Sequence, residues 1–236
     1  MRKILIFLFS LLSCSLYSQE VYLLAIGISD YPNTKNDLRL PVSDAKAIYD
    51  LYKANGQSNA KLLLNEQATK ESILSAARDL YDEAQPEDIV VFYFSGHGQS
   101  SGFVAHNGTL LYDDLKDVFS TCRSQHKMIF ADACFSGRLR DARESSTSNH
   151  QDIDLMLFLS SRHNEASIER SAMENGFFTA CLIKCLKGGA DVDRNRIITA
   201  KELYQEVSRG VKTLSNDQQH PVMWGNFDHD MTIMKW

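Results

Sequence analysis

The chain lacks the marks of several large protein classes. No basic cluster with interleaved aromatics is present, which argues against a nucleic-acid partner. Past the first dozen residues, no apolar run approaches the roughly 20 residues that span a bilayer, so no transmembrane span is expected in the mature chain. No internal repeat is visible. The five cysteines are too sparse and irregular for a disulfide framework. What is there is a globular composition, 44% hydrophobic and 23% charged. Its 236 residues suffice for one sizeable core or two small ones.

The N-terminus reads as an export signal. Arg2 and Lys3 precede the short apolar stretch Ile4 to Leu12, and small residues follow up to Ser18. Cleavage after Ser18 leaves residues 19–236 as the working domain and takes the formal net charge from −5 to −7. The expected location is outside the cytoplasm, periplasmic or secreted. A lipid anchor at Cys14 is the alternative, although Leu12, two before it, fits a lipoprotein signal poorly.

Apolar runs alternate with amphipathic stretches. Strands are predicted at Val21 to Ile26, Lys61 to Leu64, Ile89 to Phe94, Lys127 to Asp132 and Leu155 to Leu159. Helices are predicted at Ser43 to Asn55 (with Ser43 as cap), Thr69 to Glu83, Asp113 to Cys122, Phe177 to Leu186 and Thr199 to Thr213. Thr199 and Glu202 form a capping box. Strands with almost no polar residue are covered on both faces. The fold class is therefore α/β, a mostly parallel sheet with helices on both faces. In such sheets functional residues collect beyond the carboxyl ends of the strands.

Two strand ends carry chemistry. One reads Tyr93-Phe94-Ser95-Gly96-His97-Gly98 and the next Asp132-Ala133-Cys134-Phe135-Ser136-Gly137. A thiol with pKa ≈ 8.5 is mostly protonated at neutral pH and needs a base to become a nucleophile. His97 is that base if the loops bring it to Cys134. The Gly98 and Cys134 backbone N–H groups are candidates for an oxyanion hole. The chemistry requires no cofactor. Cys181 and Cys185, four apart in an apolar helical pattern, read as buried core thiols rather than zinc ligands.

These motifs resemble those of the caspase-like peptidases, and among them the metacaspase type found in bacteria. The resemblance extends to Leu24 through Ile28 with Tyr31-Pro32, to Ser43-Asp44-Ala45 and to Gly176-Phe177-Phe178-Thr179. It implies a caspase-like three-layer sandwich and cysteine-type endopeptidase activity. Caspases proper carry Gln where Asp132 stands, and place their His about 50 residues before the Cys. Here the interval is 37 residues. The family usually has His at the position of Phe135, which is not the catalytic His, and often Cys at that of Pro41.

Asp132 lies two before Cys134, so strand alternation points both to one side. A carboxylate there repels acidic side chains and attracts Arg or Lys. The resemblance implies the same pocket role for Asp132, with Asp44 and Ser95 as its further residues. The expected partners are protein or peptide substrates with Arg or Lys at the cleaved position. The alternative is a caspase-fold protein that binds or signals without proteolysis.

Two further features stand out. The polar, aperiodic segment from Arg138 to Asp154 contains Arg138, Arg140 and Arg143, candidate sites for self-processing. The segment Asp191 to Glu202 has EF-hand-like spacing. Its calcium ligands would be Asp191, Asp193, Asn195, the Ile197 carbonyl, Thr199 and Glu202. Against it, position six is Arg196 instead of Gly, and no clear helix enters the loop. The resemblance also points to Asp113, Asp114 and Asp141 as a second calcium candidate, although Asp113 and Asp114 equally suit the first turn of a helix.

Overall fold

The computed structural model describes residues 19–133, 154–161 and 173–235. Its centre is a six-stranded sheet built from β1 (Val21–Gly27), β2 (Ala60–Leu64), β3 (Ile89–Ser95), β7 (His126–Asp132), β8 (Leu155–Leu159) and β10 (Val222–Asn226), in the order β10-β8-β7-β3-β1-β2. All neighbours are parallel except the β10–β8 pair. Every residue of β1 and β3 is buried.

The strand period of two divides the core into two layers. Val21, Leu23 and Ala25 face α1 (Pro41–Ala54), α4 (Phe177–Lys184) and α5 (Ala200–Leu214). Tyr22, Leu24 and Ile26 face α2 (Lys70–Tyr81) and α3 (Tyr112–Thr121). The result is the expected three-layer sandwich. Fully buried Phe92, Phe94, Phe130 and Phe158 anchor it, each worth about 1.5–3 kcal/mol of burial.

Local signals set most boundaries. Thr69 Oγ1 accepts from Ser72 N and starts α2. Thr199 and Glu202 form the capping box of α5 as expected. Helix α1 departs from expectation: it starts at Pro41, and Ser43 does not cap it. Proline suits a first helical turn because its missing N–H is not needed there. Ser43 Oγ instead lies within hydrogen-bond distance of the Leu40 and Glu174 carbonyls, which share its single proton, tying α1 to the approach of α4.

Several short strands have no clear sequence signal. β4 (Gly98–Gln99), β5 (Gly102–Ala105) and β6 (Gly108–Leu111) form a small antiparallel sheet directly after the His97 motif. β9 (Ile197–Thr199) pairs with β11 (Thr232–Lys235). No helix among the described residues is long and apolar enough to cross a membrane. Residues 1–18, where an export signal is expected, lie outside the described residues.

Candidate active site

Adjacent central strands position the two motifs. β3 and β7 are parallel and in register, with Ser95 opposite Asp132. Gly96 N donates to the Asp132 carbonyl at 3.2 Å. The two strands therefore end side by side, with His97 two residues past the end of β3; in sequence Cys134 stands two residues past Asp132. Cys134 lies outside the described residues, as do Arg138, Arg140, Arg143 and Asp141. The peptide unit before it is fixed: buried Ser160 Oγ accepts from Ala133 N and donates to the Ala133 carbonyl, both at 3.2 Å. Gln219, fully buried, donates from Nε2 to the Ser160 carbonyl at 2.9 Å.

His97 is held by groups that sequence patterns do not reveal. Its backbone N donates to the Tyr31 hydroxyl at 2.9 Å, and that hydroxyl donates to the Val104 carbonyl. The two rings lie 5.0 Å apart. Burial pushes the Tyr31 phenol up to about 12, so it stays neutral and keeps its proton for Val104. His97 Nε2 lies 2.7 Å from the carbonyl oxygen of Asn36, at the end of the 3₁₀ turn Thr34–Asn36. A carbonyl only accepts, so Nε2 carries the proton and Nδ1 keeps its lone pair.

The hairpin orients Gly98. His97 O accepts from Val104 N, while Gly98 faces Phe103 and Gln99 faces Gly102. Bonded and non-bonded pairs alternate in an antiparallel ladder, which makes Gly98–Phe103 the non-bonded pair. Its N–H therefore points away from β5.

The three expected pocket residues come together. Ser95 Oγ donates to Asp44 Oδ2 at 3.0 Å. Asp44 Oδ1 accepts from Asn175 Nδ2 and Gly176 N, at 2.9 and 3.0 Å. Asp132 Oδ2 accepts from Thr179 N at 3.2 Å and Thr179 Oγ1 at 2.8 Å. Asp44 and Asp132 are 2% and 7% exposed, which makes them a buried carboxylate pair. Burial, and then the charge of Asp132, push Asp44 up to about 7. Sequence reasoning missed the roles of Tyr31, Tyr93, Asn175, Thr179 and Ser160. Tyr31 and Thr179 lie in segments that carry the family resemblance; Asn36 acts through its backbone and leaves no residue-type signal.

The Asp191 to Glu202 segment is a tight loop between helices. Helix α4 runs on into the turn Cys185–Gly189, which leaves helical geometry at Lys187 and Gly188 (φ 102°), and α5 begins at Ala200. As expected, no regular helix runs directly into the loop. Arg196 adopts φ 68°, the left-handed conformation for which position six normally uses Gly. Ligand-type oxygens of Asp191, Asp193 and Glu202 lie within 4.8 Å of one another. They accept bonds from loop groups: Asp191 from Asn195 N and Arg196 N, Asp193 from Asn195, and Glu202 from Val192 N and Thr199. Asp113 and Asp114 instead pair with Lys116 and Lys70. Cys181 and Cys185 are buried, and burial pushes their thiols up to about 11 and about 12, as expected for core cysteines.

Comparison with known proteins agrees with this geometry. The caspase domain family matches residues 21–231. Metacaspase-1 of Candida albicans is 37% identical over 83 residues, 32% of this chain and 18% of that protein. Metacaspase-4 of Arabidopsis thaliana is 29% identical over 178 residues, 63% of this chain and 42% of that protein. This chain therefore spans less than half the length of either relative. The crystal structure of a Geobacter sulfurreducens protein superposes with a TM-score of 0.69 at 17% identity, covering 92% of this chain and 97% of that one, and shares the fold. A family match over nearly the whole described chain, together with the neighbouring ends of β3 and β7 at Ser95 and Asp132, establishes that the chain belongs to the caspase domain family of cysteine peptidases.

Proposed function

We propose that this chain is an exported cysteine endopeptidase that cleaves after Arg or Lys. The observation that carries this reading is the buried pair Asp44–Asp132, beside the neighbouring ends of β3 and β7, two residues before His97 and Cys134 in sequence. Two carboxylates out of water are costly unless a cation joins them. A guanidinium or ammonium from the substrate supplies that cation, with Ser95 as a third polar wall. An acidic residue at the cleaved position would add a third negative charge.

The chemistry then follows. His97 Nδ1 takes the Cys134 thiol proton, and the thiolate attacks the carbonyl carbon of the basic residue itself. The oxyanion falls to the N–H groups of Gly98 and Cys134. His97 gives its proton to the departing amine, leaving a thioester on Cys134. Water, deprotonated by Nδ1, hydrolyses that thioester and restores the thiol. The arginines at 138, 140 and 143 have the side chain this pocket selects, which supports self-processing there.

A calcium ion held by Asp191, Asp193, Asn195, the Ile197 carbonyl, Thr199 and Glu202 is a second part of this reading. It is supported by the convergence of the three carboxylates and by the turn at Arg196. It would brace the loop between α4 and α5, remote in sequence from the chemistry.

A peptide library varied at the cleaved position, with wild type and Cys134→Ala, tests the proposal. Turnover confined to Arg and Lys peptides, and lost in Cys134→Ala, is expected. A folded wild type with no turnover, with or without calcium, would replace it with the binding or signalling reading.

A further inference from the structure

Helix α4 begins at a residue that cannot cap it. Its N-cap is Gly176, which has no side chain to receive a first-turn amide. The first N–H groups of a helix lack intrahelical partners and must be satisfied from elsewhere. Here Gly176 N is taken by Asp44 Oδ1, and Thr179 N by Asp132 Oδ2. Both acceptors belong to other elements, one to the first turn of α1 and one to the end of β7.

A side chain at 176 and the observed position of Asp132 exclude each other. Thr179 is the third residue of the helix, and an N-cap Ser, Asp or Asn accepts from the second or third N–H. Any of these would compete for the amide that Asp132 holds. A Cβ alone would sit 2.5 Å from Asp132 Oδ2 and 3.3 Å from its Cγ. The helix gains nothing locally from glycine here, since Ser, Asp and Asn are its equals or betters as caps. The gain is at the pocket.

We propose that Gly176 and Thr179 determine specificity as positioning residues, by letting the two pocket carboxylates cap α4 in place of its own N-cap side chain. This rests on reading Asp44 and Asp132 as the pocket for a basic side chain. The capping bonds fix each carboxylate in one orientation, and the partial positive charge of the helix N-terminus offsets their mutual repulsion. Thr179 adds a second link: its hydroxyl donates to Asp132 Oδ2 and lies 2.6 Å from the Tyr93 hydroxyl. With its one proton turned toward Asp132, Thr179 accepts from Tyr93. The chain Tyr93–Thr179–Asp132 is buried throughout.

The test uses Gly176→Ser, Thr179→Val and Thr179→Ser, with fluorogenic peptides varied at the cleaved position and a peptide aldehyde ending in arginine as a binding probe. Thermal melts and circular dichroism select the variants that fold. Gly176→Ser and Thr179→Val are expected to raise KM for Arg and Lys peptides, and weaken the aldehyde, at least tenfold. Their preference over neutral peptides should shrink, with kcat changed less than threefold. Thr179→Ser, which keeps the hydroxyl, should behave as wild type. Folded Gly176→Ser or Thr179→Val with wild-type KM and selectivity would overturn the inference. A wild type that cleaves without preferring Arg or Lys would overturn instead the pocket reading on which it stands.

Discussion

His97 Nε2 and the carbonyl oxygen of Asn36 stand 2.7 Å apart, a contact that leaves Nδ1 as the ring nitrogen open to act as the proposed base. Because the partner is a backbone atom, Asn36→Ala should leave kcat/KM within about threefold of wild type. Removing the Tyr31 hydroxyl is different. It orphans the His97 N–H and releases the Val104 carbonyl, and misplacement of a catalytic group costs rate rather than binding. Tyr31→Phe should lower kcat roughly 10-fold or more with KM little changed, as steady-state kinetics on an Arg peptide would show.

Neutralising either pocket carboxylate should cost specificity. Breaking a buried charge pair from one side costs about 3–5 kcal/mol. Asp132→Asn or Asp44→Asn should therefore reduce kcat/KM for Arg peptides roughly 100-fold or more and spare neutral ones. Equal losses on both peptide types would count against the pocket.

Asp44 ties stability to pH. Its acid is raised from 3.8 to about 7 in the folded protein, chiefly by burial. The folded state thus binds this proton more tightly than the unfolded one. The stability it confers is complete below about pH 4 and is lost as pH rises through about 7. The unliganded protein should lose melting temperature across that window, and Asp44→Asn should flatten the loss. A basic ligand acts in the opposite direction: affinity for an arginine aldehyde should rise with pH up to about 7, with proton release detectable by calorimetry in two buffers.

The calcium reading predicts a rise in melting temperature on adding calcium, reversed by chelator and absent in Asp191→Ala. Mass action sets the size, about 2.7 kcal/mol at a ligand concentration 100 times Kd. A flat titration would remove calcium from the account. Without calcium, Thr199→Ala should cost about 1 kcal/mol of stability by removing the α5 cap.

Legibility in the sequence followed physical range. β1, β3 and β7 were readable because continuous apolar runs need cover on both faces, whatever the neighbours are. The hairpin β4–β6 was not, because strands of two to four residues rich in glycine carry no periodicity. Asp44, Ser95 and Asp132 are legible because charge and family pattern mark them. Thr179 and Tyr93 sit among apolar neighbours and look like core until their hydroxyls are seen to meet. Asn36 contributes a carbonyl that any residue would offer. Ser43, a good cap on paper, falls inside α1, because the helix starts two residues earlier at Pro41.

The β7–β8 ladder joins Met128 through Ala131 to Met156 through Leu159. A backbone cut anywhere between these strands would leave two fragments that remain zipped along that seam and share one core. Such a nicked enzyme would run as two bands on a denaturing gel and as one species on a sizing column. Cutting at the arginines after Cys134 would then add a pair of chain ends without dismantling the scaffold that carries His97, Asp44 and Asp132.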